Sequence, residues 1–302
     1  MASSREAESL DKLVTEARRA DTDYTSRSTQ DLVQLMNEED ASVPAAVAAV
    51  AAELAAAIDA ILDRLAAGGR LVYVGAGSSG RIAELDAEEC EGTFSTAPGQ
   101  VVAVVAGAGL ASAEREAAED DAGAGRLALE ELAVSAADAC VGVSASGRTP
   151  YVLAALEAAA EARALTVALT AVEGSPLGRA AEHDLAVVVG AEFVSGSTRL
   201  KAGTAQKLVL NTISTVAMIR LGKTYGDLMV DVRSSNEKLA ARARRVVQLA
   251  TGVSDDEAGR ALAEADGSAK VAVVSLLAGV DTQTARERLE QASGHVTAAL
   301  ER

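Results

Sequence analysis

Arg70-Leu-Val-Tyr-Val-Gly-Ala-Gly-Ser-Ser-Gly-Arg81 decides the reading of the whole chain, because an apolar run passes straight into a glycine- and serine-rich turn. Residues 81–91 then take up helical spacing. This pattern predicts a strand over 70–74, a turn over 75–80 and a helix beyond, the first half of a βαβ unit. The unit recurs downstream. Val101 to Val105 precedes helical segments, Ala139 to Val143 precedes Ser144-Ala-Ser-Gly-Arg-Thr149 and a helix from Pro150, and Leu165 to Thr170 and Leu185 to Val189 supply two further runs. Five apolar runs alternating with helices predict an α/β fold of the doubly wound class, with a mostly parallel five-stranded sheet covered on both faces. Ligands in that class bind beyond the carboxyl ends of the strands, where both Ser/Gly turns fall.

Working outward, Ser28 to Asp40 reads as a short capped helix. Pro44 occupies the first turn of a long alanine-rich helix that runs to about Ala67, where Gly68-Gly69 stop it. After Ser195-Gly-Ser-Thr-Arg199 a long helix reaches Gly222, and from Asn236 the chain shifts to short helices broken by Gly252, Gly267, Gly279 and Gly294. Ser254-Asp-Asp-Glu257 opens one of them as a capping box. The expected organisation is an N-terminal helical segment over 1–60, a central sheet domain over 61–224 and a small helical domain over 235–302. No fixed-period repeat is evident across the chain.

Composition narrows the function. Lys+Arg number 28 against 44 Asp+Glu among 302 residues, a net charge of −16, with no basic block to offset it. Nucleic acid and anionic membrane are both held by Lys/Arg on phosphate, so neither is an expected partner. Aromatics are 2% of the chain and Trp is absent, so base-stacking platforms are excluded as well. Residues 1–60 hold five Lys/Arg and twelve Asp/Glu, which argues against an N-terminal DNA-reading module. Cys90 and Cys140 match no disulfide framework and no Cys-x-x-Cys motif. The start, Met-Ala-Ser-Ser-Arg-Glu-Ala-Glu, has no apolar core of a signal peptide. Val43 to Ala52, the most apolar stretch, is interrupted by Glu53 and Asp59, short of the roughly 20 residues a bilayer span needs. A cytoplasmic protein is the expectation.

Gly75-x-Gly77-x-x-Gly80 between strand and helix also satisfies the dinucleotide fingerprint, which further requires an acid at the end of the second strand. Here that strand ends Val104-Val-Ala-Gly-Ala-Gly109, with no such acid. In its place stands the second hydroxyl-rich turn, residues 144–149. Two Ser/Gly turns at strand ends offer hydroxyls, backbone N–H groups and helix N-termini, a set suited to a phosphate monoester on a small ligand. The bland alternative for each turn is an ordinary βα connection with serine as helix cap. Most of the carboxylates on the helices after strands one and two must be solvated. Glu89 differs, because Ile82, Leu85 and Cys90 around it are expected to pack on the sheet and to desolvate it, raising its pKa toward that of a general acid. His183 and His295 stand 112 residues apart with no ligand set near either, so no metal site and no Ser-His relay are expected.

Longer stretches carry a resemblance beyond the fold class: Val74-Gly-Ala-Gly-Ser-Ser-Gly-Arg81, Leu85-Asp-Ala-Glu-Glu-Cys90, Ser144-Ala-Ser-Gly-Arg-Thr-Pro-Tyr151, residues 195–211 and Gly226-Asp-Leu-Met-Val-Asp-Val232. From about Ser28 to the C-terminus the chain resembles the N-acetylmuramic acid 6-phosphate etherase family, and residues 61–224 resemble the sugar isomerase (SIS) domain of many phosphosugar enzymes and regulators. The Ser-rich turns alone indicate only that superfamily. Lys201-Ala-Gly-Thr-Ala-Gln-Lys207 and Asn236-Glu-Lys-Leu239 are far more specific.

The resemblance implies a carbon–oxygen lyase that cleaves the D-lactyl ether of N-acetylmuramic acid 6-phosphate in cell-wall amino sugar recycling, without metal or cofactor. In the ring-opened sugar the C1 aldehyde acidifies the C2 proton. A base removes that proton, an acid protonates lactate leaving C3, and water adds to the unsaturated aldehyde. The resemblance makes Glu89 the proton donor to lactate and Glu119 the base at C2. Residues 106–119 are one residue shorter than the family spacing and lack its Glu-Gly step, so Glu116, one turn earlier, stays open as the second acid. Glu89-Cys-Glu-Gly-Thr93 likewise replaces the family's Glu-Cys-Pro-Pro-Thr. Ser78, Ser79, Ser144, Ser146 and Thr149 are assigned to phosphate and sugar hydroxyls, and Lys201 to a counter-charge or a structural role. A homodimer is implied, with sites that draw on both subunits. The competing reading is a non-enzymatic phosphosugar-binding regulator similar to the glucokinase regulatory protein, which needs the Ser-rich turns but no acid–base pair. An aldose–ketose isomerase shares the turns and the C2 abstraction but not lactate loss.

Overall fold

A computed structural model describes residues 14–19, 23–231 and 237–302. Among them, runs rich in Val, Leu and Ala form the interior strands, and the few polar side chains they carry, Tyr73, Thr166 and Thr170, are hydrogen-bonded. Every residue of β1 (Leu71–Gly75), β3 (Ala139–Val143) and β4 (Leu165–Thr170) is buried, as a sheet covered on both faces requires. β2 (Val101–Val105) and β5 (His183–Ala186) form the two edges and are less buried. All pairings are parallel, in the order β2-β1-β3-β4-β5. The doubly wound, five-stranded reading therefore holds. Register sets Gly75 level with Val105 on one side and with Val143 on the other, so the three strands end together. The chain leaves β1 toward β2 and returns to the opposite side for β3. The switch point thus lies between β1 and β3.

Val72, Val74, Cys140 and Ala168 share one core with α6 (Ala122–Glu131), α7 (Pro150–Glu161) and α8 (Pro176–Ala180), led by Leu129, Val152, Leu156 and Leu177. Burial pushes the Cys140 thiol up to about 12, so it stays an uncharged core residue. Upstream, α1 (Thr29–Asp40) carries a full capping box, in which Ser28 and Asp31 satisfy each other's backbone N–H groups.

Three boundaries differ from expectation. The alanine-rich helix is two helices, α2 (Val43–Ala49) and α3 (Ala51–Ala66), and the run Thr29–Ala49 meets α3 at a 60° bend. Val50 breaks it by leaving helical geometry (φ −105°, ψ 19°), and α3 then lays Leu54, Ala57, Ile58, Ile61 and Leu65 into the core. α4 (Gly77–Phe94) begins four residues before Arg81, so the first Ser/Gly turn is mostly helix. β5 stops at Ala186, because its pairing with β4 runs only from His183 to Ala186. Among the described residues, no single helix is long and apolar enough to cross a membrane.

A clasp joins the amino ends of β1 and β3. Arg70 donates from its backbone N and from Nε to Asp138 Oδ1, each at 3.0 Å, and from Nη2 to Oδ2 at 2.8 Å. Burial pushes the Asp138 carboxyl up, but the bonds from Arg70 and from Ser135 N–H outweigh it and hold the group below the usual carboxylate range. Its contribution to stability is present above the unfolded-state pKa and fades as pH falls through the lowered folded-state value. Asp138→Ala is expected to cost about 1–3 kcal/mol of unfolding free energy, because the N–H groups of Arg70 and Ser135 would lose their acceptor. A urea titration would show this as a lower midpoint at unchanged slope.

The described chain divides into two compact units, one holding the residues up to Ala87 with Val101–Ile213, the other Glu88–Gln100 with Ser214–Arg302. The division falls inside α4 and inside α9 (Lys201–Arg220). A domain start at 235, and Asn236 of the signature stretch, lie outside the described residues. The second unit holds the hairpin of β6 (Thr224–Tyr225) and β7 (Leu228–Met229), then α10 (Glu237–Thr251), α11 (Asp255–Glu264), α12 (Ala269–Ala278), α13 (Thr282–Gln291) and α14 (Val296–Leu300).

Contrary to the expectation of no repeat, this unit contains one. Positions 27 residues apart match in conformation: Gly252 and Gly279 at φ 77° and 65°, Asp266 and Ser293 at 54° and 50°, and Gly267 and Gly294 at 78° and 83°. Ser254 and Asp281 cap α11 and α13 through their side chains, and Leu262 and Leu289 are buried at equivalent places. Only the turn glycines and a few core positions recur, while the surface between them has diverged. Two short copies with so few shared letters give little periodic signal.

Candidate functional site

The glycines of the first turn serve close packing. A Cβ on Gly75 would stand 2.7 Å from Gly80 Cα, and one on Gly80 would stand 2.6 Å from Val105 Cγ1. Without side chains there, α4 starts directly on the ends of β1 and β2. A cavity of about 360 Å³ opens beside it, lined by Gly77, Ser78, Arg81 and Glu84 of α4, by Val105, Ala106, Ala108 and Gly109 after β2, and by Arg115, Glu116 and Glu119.

Glu119 caps the C-terminus of α5 (Ser112–Ala118), and its carboxylate rests on Gly77, where a Cβ would meet Oε1 at 2.6 Å. Burial pushes this carboxyl above its ordinary range, the charges of Asp120 and Glu116 push the same way, and Arg81 opposes them. A carboxyl whose affinity for a proton is raised toward neutral pH is suited to take a proton from carbon or to return one. Glu116 lines the same cavity but is exposed. The main chain of Glu119 also reaches the first turn of α7, which follows the second Ser/Gly turn, since Tyr151 N–H donates to its carbonyl at 3.1 Å.

That second turn follows β3, beside β1, so both turns border the switch point. Ser144 is 3% exposed. Its Oγ accepts from Gly147 N–H at 3.1 Å and lies 2.8 Å from Thr149 Oγ1, so it shapes the loop from within. Ser146 Oγ accepts from Arg148 N–H at 3.2 Å. Ser146, Arg148 and Thr149 are partly exposed just ahead of α7. Ser78 and Ser79 are partly exposed in the first turn of α4, and Ser78 Oγ accepts from Arg81 Nη2 at 3.1 Å.

Two expected residues do not line this cavity. Lys201 is buried at the start of α9, with its ammonium on Glu39 Oε2 at 3.0 Å, and Glu39 also pairs with Arg19. Within the described cavity it is not a lining residue. Glu89 is exposed, and Leu85, expected to pack inward beside it, is 46% exposed. The desolvated acid of α4 is Asp86, which is 2% exposed, accepts from Tyr73 Oη at 3.0 Å and pairs with Lys207 Nζ at 3.7 Å. The inward face consists of Ala83, Asp86, Ala87 and Cys90, about 100° from the one assumed. Its i, i+3, i+4, i+7 spacing was the available signal.

Sequence reasoning also passed over Glu192. It is fully buried and accepts from the backbone N–H groups of Lys201 and Ala202, each at 3.0 Å, so it caps α9. In the second unit Asp231 takes Lys270 Nζ at 2.7 Å and Lys223 Nζ at 3.0 Å. Among the described residues, no three His, Cys, Asp or Glu side chains gather to hold a metal ion.

Comparison with known proteins bears on this arrangement. The family profile of the glucokinase regulatory protein N-terminal SIS domain matches residues 53–160, and that of the SIS domain matches 125–215. The N-acetylmuramic acid 6-phosphate etherase of Rubrobacter xylanophilus is 57% identical over 295 residues, 97% of each chain. Its counterpart in Streptomyces coelicolor is 55% identical over 96% of this chain and 94% of its own. Among solved structures, a phosphoheptose isomerase from Francisella tularensis superposes with a TM-score of 0.50 at 19% identity, covering 64% of this chain and 100% of that one. At that identity the likeness is one of fold.

Proposed function

The chain belongs to the N-acetylmuramic acid 6-phosphate etherase family, and on that premise we propose how its residues divide the reaction. The enzyme is a carbon–oxygen lyase of cell-wall amino sugar recycling that converts N-acetylmuramic acid 6-phosphate to N-acetylglucosamine 6-phosphate and D-lactate. Glu119 is the base that removes the C2 proton of the ring-opened sugar, and Glu89 gives a proton to the departing lactate oxygen. Electrons of the C2–H bond form the C2–C3 double bond as the C3–O bond breaks, and water then adds at C3. Ser78 and Ser79, with Ser146 and Thr149, take the phosphate and sugar hydroxyls, while Ser144 holds the second turn in shape. Lys201 has a structural role as the partner of Glu39.

The observation that carries the assignment is the half-buried Glu119 carboxyl, held against Gly77 at the mouth of the strands with its pKa raised. Incubation with N-acetylmuramic acid 6-phosphate in D2O, followed by NMR, tests it. Lactate and deuterium at C2 are expected together, and binding without lactate release would sink the reading.

The neighbours of Glu119 also predict a pH effect. Glu116 opposes ionisation of Glu119, so Glu116→Gln lowers the pKa of Glu119 and moves the acid limb of kcat/KM to lower pH. A limb that stays in place would show that Glu119 does not act as the ionised base.

We also propose a cytoplasmic homodimer. Cys90 and Cys140, buried and in no disulfide, are in keeping with a reducing compartment. The twenty-residue α9, with Leu208 exposed on it, suits a subunit contact. Sedimentation velocity tests the stoichiometry.

A further inference from the structure

The cavity at the ends of β1 and β2 poses an electrostatic problem for the substrate. Three carboxylates line it, Glu84, Glu116 and Glu119, against two cations, Arg81 and Arg115. The substrate brings two anionic groups of its own, a phosphate and the carboxylate of its lactyl arm. Four bonds separate C2, whose proton Glu119 removes, from that carboxyl carbon. A base at C2 therefore brings its own negative charge within a few ångströms of the lactyl carboxylate. The ether is not expected to dock there unless a cation stands beside the base.

Arg81 is placed to be that cation. It lines the same cavity one helical turn from Ser78, and its exposed guanidinium donates from Nη2 to Ser78 Oγ at 3.1 Å. That bond uses one of its five N–H donors, and a guanidinium presents two parallel donors to a carboxylate. Its charge is felt at Glu119, which it stabilises in the ionised form. Arg115 shares the cavity but lies on α5.

We propose that Arg81 binds the lactyl carboxylate and is the residue by which the site selects the lactyl ether over the same phosphosugar without it. The proposal rests on the assignment of Glu119 as the base. Arg81 acts on the leaving arm, and Ser78, to which its Nη2 donates, belongs to the turns that take the phosphate.

Two ligands separate the possibilities. N-acetylmuramic acid 6-phosphate carries phosphate and lactyl arm, whereas N-acetylglucosamine 6-phosphate carries phosphate alone. For Arg81→Gln, KM for the ether is expected to rise about 10- to 100-fold, the loss of one charge-assisted pair, with Ki for N-acetylglucosamine 6-phosphate within about twofold of the parent. Arg81→Lys should recover part of the loss, since charge returns without the paired donors. The acid limb of kcat/KM should move to higher pH in the Gln variant and return in the Lys variant, a response that a structural role would not produce. Equal weakening of both ligands would reassign Arg81 to phosphate and overturn the proposal, and so would an unchanged KM. Failure of the parent enzyme to release lactate would instead overturn the assignment of the site.

Discussion

Glu119→Gln is expected to abolish both lactate release and deuterium uptake at C2, lowering kcat by about 10³-fold or more, the scale of a lost general base. The substitution keeps the size of the side chain and removes only its capacity to hold a proton. The fold should tolerate it, because the Glu119 carbonyl still accepts from Tyr151 N–H. Binding of N-acetylglucosamine 6-phosphate should survive. Glu116→Gln provides the control, since that residue lines the same cavity but is exposed. Its kcat should stay within about tenfold of the parent at the optimum, as expected for a neighbour that acts only through its charge. Should Glu116→Gln lose C2 exchange while Glu119→Gln keeps it, the roles are reversed. The shortened segment 106–119 would then carry its base one turn earlier.

Glu89→Gln should separate the two halves of the reaction. Removing the acid leaves lactate to depart as an unprotonated alkoxide, so its release should fall by about 10²- to 10⁴-fold. The C2 proton can still be taken and returned by Glu119, so deuterium should continue to enter at C2 of unreacted ether. Exchange without product is the signature of an intact base and a missing acid. Loss of exchange to the same degree as lactate release would instead give Glu89 a share in the first step. A burst of free lactate in this variant would remove it from the mechanism.

Most of the fold was legible in the apolar runs, since valine-rich stretches buried on both faces admit few other readings. The sheet, its parallel sense and both serine turns follow from them. Ends and faces were harder. The start of α4 at Gly77 depends on Gly75 meeting Gly80 and on Gly80 meeting Val105, the latter a contact between residues 25 positions apart in the chain. The same close approach explains the error over Glu89. A helix this near a sheet turns small residues inward, so Ala83 and Ala87 face the core and Leu85 does not. Counting large apolar residues therefore chose the wrong side, and the desolvated acid proved to be Asp86. Lys201 shows a third limit. Its partner Glu39 lies 162 residues earlier, and no local pattern announces such a pair. Glu116 and Glu119 were left undecided by spacing alone, and what favours Glu119 is its shelter against Gly77.

The edge position of β2 has a practical consequence. Val101-Val-Ala-Val-Val105 has no charge, no proline and, among the described residues, only one neighbouring strand. Such a segment is a ready template for intermolecular strand pairing whenever local unfolding uncovers it. Recovery from denaturant should therefore depend steeply on protein concentration, and aggregates formed on heating should be rich in intermolecular β-structure. Ala103→Lys, at a half-buried position of this strand, would act as a gatekeeper against this and improve solubility.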